Sequence, residues 1–175
     1  GPPIVTTRPA TDIMSVSAII HGTVIPNGSF ANSWFEWGLT TSVTNSAFLN
    51  QIPPGVTSQQ YDHALSNLLP GTTYYFRMVG QNLSTSYGET LSFVTAGAPS
   101  ITTPEVRNVT HNSAVLSTTV SPHGGDTTVW FSIGIGTSLS DTGQIVSVSK
   151  NETTKVVDID VTNLVPNTVY SVNAH

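Results

Sequence analysis

The chain has 175 residues, a formal net charge of −5 and only 9% charged residues, and 47 of its residues are serine or threonine. Its five Lys and Arg residues are scattered singly, which excludes a basic stripe able to neutralise consecutive phosphates and argues against nucleic acid as a partner. Cysteine is absent and no apolar run reaches about 18 residues, so the sequence offers no disulfide, thiolate metal site or membrane span.

Short β-rich runs separated by turn residues predict seven strands in the first part of the chain. These runs cover residues 4–8, 16–25, 33–39, 44–50, 58–66, 73–81 and 89–95. Proline and glycine pairs lie in the gaps, for example Pro53-Pro54-Gly55 and Pro70-Gly71, and end the strands. A strand every 8–12 residues or so, without helical patterns between, is typical of an all-β sandwich.

The sequence repeats itself at a constant offset of 96 residues. Trp34-Phe35 aligns with Trp130-Phe131, and Thr23-Val24 aligns with Thr119-Val120. A constant offset over most of the chain predicts two copies of one folding unit, residues 1–96 and 97–175. The second copy then has six strands, at 100–103, 113–121, 128–135, 144–149, 154–161 and 169–174.

Two segments at equivalent places in the copies carry a family resemblance. Residues 68–74 read Leu-Leu-Pro-Gly-Thr-Thr-Tyr and residues 164–170 read Leu-Val-Pro-Asn-Thr-Val-Tyr; both resemble the corner between strands E and F of fibronectin type III domains. Residues 22–28 and 34–38 are similar to the B–C region of such modules in bacterial and archaeal surface proteins. The resemblance implies two tandem antiparallel β-sandwiches in which Tyr74 and Tyr170 form tyrosine corners, their hydroxyls bonded to nearby backbone.

The last strand of the first copy has no counterpart in the second. Residues 89–95 would align with positions from 185 onward, beyond His175. We therefore expect the second sandwich to lack strand G and to leave an open edge and apolar floor at Tyr170, Val172 and Ala174. An unpaired edge is a template for another strand. The missing strand belongs either to a longer chain or to another subunit that donates it, as in pilin-like filaments.

Strand alternation places Trp34 and Trp130 at equivalent outward positions, with Tyr75 and Arg77 on the strand next to Trp34. Exposed Trp, Tyr and Arg side chains are enriched at contacts, so these four residues are predicted to touch a partner; the alternative is that the rings merely pack across strands. Candidate N-glycosylation sequons occur in predicted turns or strand ends at Asn27, Asn82, Asn108 and Asn151.

No arrangement of residues points to catalysis, a cofactor or a metal. The five histidines show no paired ligand spacing, and Asp62, Asp158 and Asp160 are interpreted as solvated carboxylates on outward faces. The sequence predicts a non-catalytic structural or adhesive module of an extracellular cell-surface, filament or virion protein, a rigid spacer that contacts other subunits, the rest of its own chain or surface glycans. The alternative is a pair of accessory domains from a secreted polysaccharide-degrading enzyme.

Overall fold

The computed structural model describes the backbone of residues 1–175 and every side chain except that of Phe48. Every regular element of the described backbone is a β-strand. The chain divides into two compact units, Gly1–Ala96 and Gly97–His175.

The first unit is a sandwich of two antiparallel sheets. Its strands are β1 (Ile4–Thr11), β2 (Ala18–Ile25), β3 (Ala31–Gly38), β4 (Asn45–Ile52), β5 (Gln59–Leu65), β6 (Thr73–Gln81), β7 (Thr85–Tyr87) and β8 (Leu91–Val94). One sheet has the order β1-β2-β5, and the other has the order β4-β3-β6, with both β7 and β8 paired to β6. This is the strand order of a fibronectin type III-like sandwich, so the predicted fold class is confirmed.

Inward side chains from both sheets fill the core of the first unit. The largest fully buried ones are Phe35, Phe76, Ile20, Ile52 and Met78. They alternate with outward residues, as the pleat of a strand requires. Phe93 of β8 closes one end of this core, with its ring centroid 5.8 Å from that of Tyr74 and 5.9 Å from that of Phe76.

The second unit has the same two layers with fewer strands. They are β9 (Ser100–Ile101), β10 (Glu105–Arg107), β11 (Ala114–Ser121), β12 (Thr127–Ile135), β13 (Ser138–Val148), β14 (Lys155–Val161) and β15 (Ser171–Ala174). One sheet has the order β10-β11-β14, with β9 also paired to β11, and the other has the order β13-β12-β15. Over the described backbone β15 pairs with β12 alone, so the sheet ends at β15. The described residues of the second unit therefore contain no strand G, as the sequence predicts.

Several strand boundaries differ from those predicted. The strand predicted at 144–149 begins at Ser138, because Gly136 adopts a φ of +66° and makes a tight hairpin turn directly after β12. The strand predicted at 89–95 is shortened to β8, and β7 precedes it as a strand that was not predicted. The strand predicted at 100–103 is shortened to β9, and β10 follows it as a second strand that was not predicted. Pro104 lies between β9 and β10 and has no N–H with which to continue a ladder.

Candidate functional site

The outer face of the β4-β3-β6-β7 sheet carries an aromatic row that crosses three strands. Trp34 of β3 pairs with Val79 of β6, and Val79 pairs with Tyr87 of β7. Paired residues point to the same side of a sheet, so Val79 lies between the two rings, where it is fully buried. Tyr87 is 55% exposed, and Leu49 borders Trp34 in a shallow groove at the β4 side. We call Trp34, Val79 and Tyr87 the aromatic row.

An ion pair beside the aromatic row holds both of its rings. The Nε and a terminal N–H of Arg77 donate to Oε2 of Glu36 at 2.9 and 2.7 Å. The indole Nε1–H of Trp34 donates to the other oxygen of Glu36 at 3.3 Å. The Arg77 guanidinium lies over the Tyr87 ring, 4.2 Å from its centroid. The four side chains therefore form one connected cluster in which the charges of Glu36 and Arg77 compensate each other.

The predicted contact residues of the first unit are only partly brought together. Trp34 and Arg77 meet through Glu36, but Tyr75 lies opposite Gly38, further along the strand from Trp34. The tyrosine in the aromatic row is Tyr87, which sequence reasoning missed because it lay between two predicted strands. The position of Tyr87 could have been found from the register of the hairpin that follows β6, which pairs Val79 with Tyr87.

Side-chain amides form a second row next to the aromatic row. Asn32 of β3 pairs with Gln51 of β4 on one side and Gln81 of β6 on the other. These residues line a groove of about 530 Å³ together with Ser29, Phe30, Ala31, Asn82 and Leu83. Gln81 donates a side-chain hydrogen bond to Thr85 at 3.0 Å. We call Asn32, Gln51 and Gln81 the amide row.

Trp130 of the second unit has a different environment. Its ring stacks on that of His175, with centroids 5.3 Å apart and planes inclined by 15°. The backbones of the two residues exchange N–H to C=O bonds at 2.9 and 3.2 Å. The hydroxyl of Ser132 donates to Asp141 at 2.8 Å and lies 2.7 Å from Nε2 of His175. Trp130 therefore lies in a cross-strand stack within its own unit.

The free edge of β15 borders an apolar groove of about 550 Å³ in the second unit. The wall includes Leu116, Ile133, Leu164, Tyr170 and Val172. Tyr170, Val172 and Ala174, the three predicted edge residues, are half-buried, and the Tyr170 hydroxyl accepts the Val165 N–H at 3.0 Å.

The same corner is closed in the first unit. The Tyr74 hydroxyl accepts the Leu69 N–H at 2.9 Å, and the Tyr74 ring is 5% exposed beneath Phe93 of β8. The groove of the second unit thus lies at the position that β8 covers in the first.

The predicted glycosylation sites differ in their side-chain contacts. The amide of Asn27 donates to the backbone carbonyl of Pro2 at 3.0 Å, and that of Asn82 donates to the carbonyl of Gly1 at 2.9 Å. Asn108 and Asn151 are exposed. The amides of Asn108 and Asn151 are therefore the more accessible of the four.

A cross-strand cluster on the outer face of the β1-β2-β5 sheet was missed by sequence reasoning. His21 Nδ1 lies 2.6 Å from Asp62 Oδ1, and His21 Nε2 lies 2.8 Å from the Thr11 hydroxyl. The hydrogen bond from His21 holds the pKa of Asp62 below its ordinary value. The three residues come from three strands, so spacing along the chain gave no signal. Asp62, interpreted from the sequence as simply solvated, has a specific partner.

Among the described residues there is neither a group of metal-ligating side chains nor a membrane-spanning helix. In that part of the chain no three His, Asp or Glu side chains are grouped so that they could hold a metal ion. Likewise, no helix there is long and apolar enough to cross a membrane.

Comparisons with known proteins gave structural similarities only. No protein-family model matches the sequence, and no curated protein sequence matches it significantly. One similar structure is the sensor domain of the anti-sigma factor RsgI4 of Pseudobacteroides cellulosolvens, at 22% identity and a TM-score of 0.46 over 56% of this chain and 98% of that one. A segment of two fibronectin type III domains from chicken tenascin covers 99% of this chain and 90% of its own, at 18% identity and a TM-score of 0.35. The assignment to a fibronectin type III-like, immunoglobulin-like fold rests on the strand order described above.

Proposed function

We propose that the protein is a non-catalytic structural and adhesive module of an extracellular surface, filament or virion protein, of the kind found in bacterial and archaeal surface proteins. It serves as a spacer and as a protein-contact unit. The observation that carries the proposal is the free edge of β15 beside an apolar groove. A second protein segment binds there as an added strand.

Two properties of β15 favour strand addition. Its outer edge has backbone N–H and C=O groups without a strand partner in the described chain. Such groups can form hydrogen bonds with the backbone of an added extended segment. The adjoining groove is lined mainly by apolar side chains, so the added strand also removes apolar surface from water. Backbone hydrogen bonds supply the affinity, and the shape and apolar lining of the groove determine which side chains the added strand can carry.

The first unit supports a specific proposal for the side chains that fill the groove. In that unit Phe93 pairs with Tyr74 and Leu91 pairs with Phe76. The counterparts of Tyr74 and Phe76 at the 96-residue offset are Tyr170 and Val172. The added strand therefore carries two large apolar residues, two positions apart. Burying each of them contributes about 1.5–3 kcal/mol.

The strand comes from another subunit or from a further part of the same polypeptide. A peptide with the sequence of residues 85–95, TSYGETLSFVT, tests the chemistry in either case. The control peptide has serine in place of the residues equivalent to Leu91 and Phe93. Hydrogen exchange of the whole chain is followed separately at residues 171–174 and at residues 73–81.

We expect the first peptide to slow exchange at residues 171–174 and to raise the melting temperature of the second unit, while the control peptide does neither. Absence of protection at β15 with the first peptide, or equal protection with both peptides, contradicts the proposal. Protection confined to residues 73–81 also contradicts it, because the peptide would then have replaced β8.

The alternative function, accessory domains of a secreted polysaccharide-degrading enzyme, is favoured by a different observation. The first unit presents the exposed ring of Tyr87 and the half-buried ring of Trp34 beside side-chain amides, a combination suited to sugar rings and hydroxyls. Identification of a catalytic domain in the same polypeptide would support this alternative, and regular filaments in electron micrographs would exclude it.

A further inference from the structure

We infer that the outer face of the first unit binds a neutral glycan chain. The site consists of the aromatic row, in which the buried Val79 supports the two rings from between them, and the amide row, all on the β4-β3-β6-β7 sheet. The inference deepens the adhesive part of the proposed function and rests on it, but it concerns the first unit, whereas the strand-addition test concerns the second. The two can therefore fail separately.

The aromatic row offers apolar surface that is already fixed in place. Hexoses present faces of C–H groups, which pack on aromatic rings. Trp34 is held by Glu36 and Tyr87 by Arg77, so little side-chain entropy is lost when a ligand arrives. Neighbouring strands are about 4.8 Å apart, which places Trp34 and Tyr87 about 10 Å from each other, two strands apart. This spacing suits an extended oligosaccharide better than a single sugar.

The side chains of the amide row can both donate and accept hydrogen bonds. A carboxamide has a carbonyl that accepts and an NH₂ group that donates, which matches hydroxyl groups that also do both. Within the described part of the chain, the side chains of Asn32 and Gln51 make no hydrogen bond to another residue. Both line the groove of about 530 Å³, whose rim includes the exposed ring of Phe30. These amides are available to a ligand lying beside the aromatic rings.

The charge on the two rows selects a neutral ligand. Glu36 and Arg77, which border the aromatic row, are engaged with each other at 2.7 Å, and the remaining members of the rows are uncharged. An anionic polymer would need a cation without a partner, and Arg77 already contacts both Glu36 and Tyr87. A peptide adds to a sheet through backbone groups at a strand edge, whereas the two rows present side chains on the face of the sheet, where β3 and β6 are each paired on both sides. A neutral, polyhydroxylated chain fits all three conditions.

Binding to the whole chain is measured by isothermal titration calorimetry. The neutral probes are the hexasaccharides cellohexaose, xylohexaose and mannohexaose. Hexagalacturonate serves as the anionic probe. The variants are Trp34→Ala, Tyr87→Ala and Gln51→Ala, and the matched control is Trp130→Ala in the second unit. Hydrogen exchange of β2 and β6 verifies that each variant is folded. Tyr87→Ala and Gln51→Ala keep the test informative if Trp34→Ala unfolds the first unit.

We expect at least one neutral hexasaccharide to bind, with affinity about tenfold or more weaker in Trp34→Ala and Tyr87→Ala and unchanged in Trp130→Ala. Gln51→Ala should weaken binding severalfold. Failure of all three neutral probes, tighter binding of hexagalacturonate, or binding that survives both aromatic substitutions would overturn the inference. None of these outcomes bears on whether a strand adds to β15.

Discussion

The two tyrosine corners provide a matched pair of substitutions within one molecule. Tyr74→Phe and Tyr170→Phe each remove one hydroxyl that accepts one backbone N–H, at 2.9 Å from Leu69 and at 3.0 Å from Val165. The chemistry is the same at both corners. The difference is that Tyr74 is buried beneath Phe93, whereas Tyr170 borders the open groove.

This difference sets the expected magnitudes. At the first corner the loss leaves the Leu69 N–H in partly buried surroundings, which costs about 1–3 kcal/mol of the free energy of unfolding of the first unit. At the second corner the Val165 N–H is exposed, and water can replace the lost acceptor. The cost to the second unit is then below about 1 kcal/mol.

Hydrogen exchange gives a separate free energy for each unit when it is followed at the central strands β2 and β11. The measurement is repeated with the residue 85–95 peptide present. The cost of Tyr170→Phe should then rise toward that of Tyr74→Phe, because the added strand excludes water from the corner. Equal losses of unfolding free energy from Tyr74→Phe and Tyr170→Phe without the peptide would refute this explanation, because water would then be excluded from the second corner as fully as from the first.

Three further outcomes are expected. Thr7→Val should lower the free energy of unfolding of the first unit by about 1–3 kcal/mol, because the buried Met78 N–H loses the Thr7 hydroxyl that accepts it at 3.0 Å; chemical denaturation measures the change. Ser33→Ala should raise that free energy by up to about 1 kcal/mol, since the buried Ser33 hydroxyl has no partner among the described atoms; an unchanged or lower value in the same assay contradicts this. Asp62→Asn should lower the melting temperature at neutral pH but not at low pH. The lowered pKa of Asp62 means that its stabilisation is complete above the ordinary carboxyl pKa of about 4 and is lost as the pH falls through the folded-state value; a difference from wild type that persists in strong acid contradicts this.

The sandwich fold could be predicted because its signals are local or repeated. The tyrosine-corner motif spans seven neighbouring residues, and alternation along β3 and β6 assigns Phe35 and Phe76 to the core and Trp34 to the outer face. Alternation does not give the register between strands, since strands aligned differently show the same pattern. The meeting of Trp34 with Tyr87 depends on register, as does that of His21 with Asp62. Neither contact could be predicted from spacing along the chain.

The two candidate surfaces use equivalent strands, β6 in the first unit and β15 in the second, in different ways. The neighbours of each strand decide which of its groups can bind a ligand. In the first unit β7 and β8 satisfy the edge of β6, so only side chains on its outer face can recognise a ligand. In the second unit β15 has a free edge, so backbone groups can bind almost any extended segment and selectivity must come from the groove. A charge introduced by Val172→Asp should therefore impair strand addition by the residue 85–95 peptide without affecting binding of neutral hexasaccharides. Val172 lines the groove and packs against the core of the second unit, whereas both rows belong to the first unit. Tyr87→Ala should do the reverse. If either substitution impaired both kinds of binding, the two surfaces would not be independent and the division of roles proposed for the two units would be wrong.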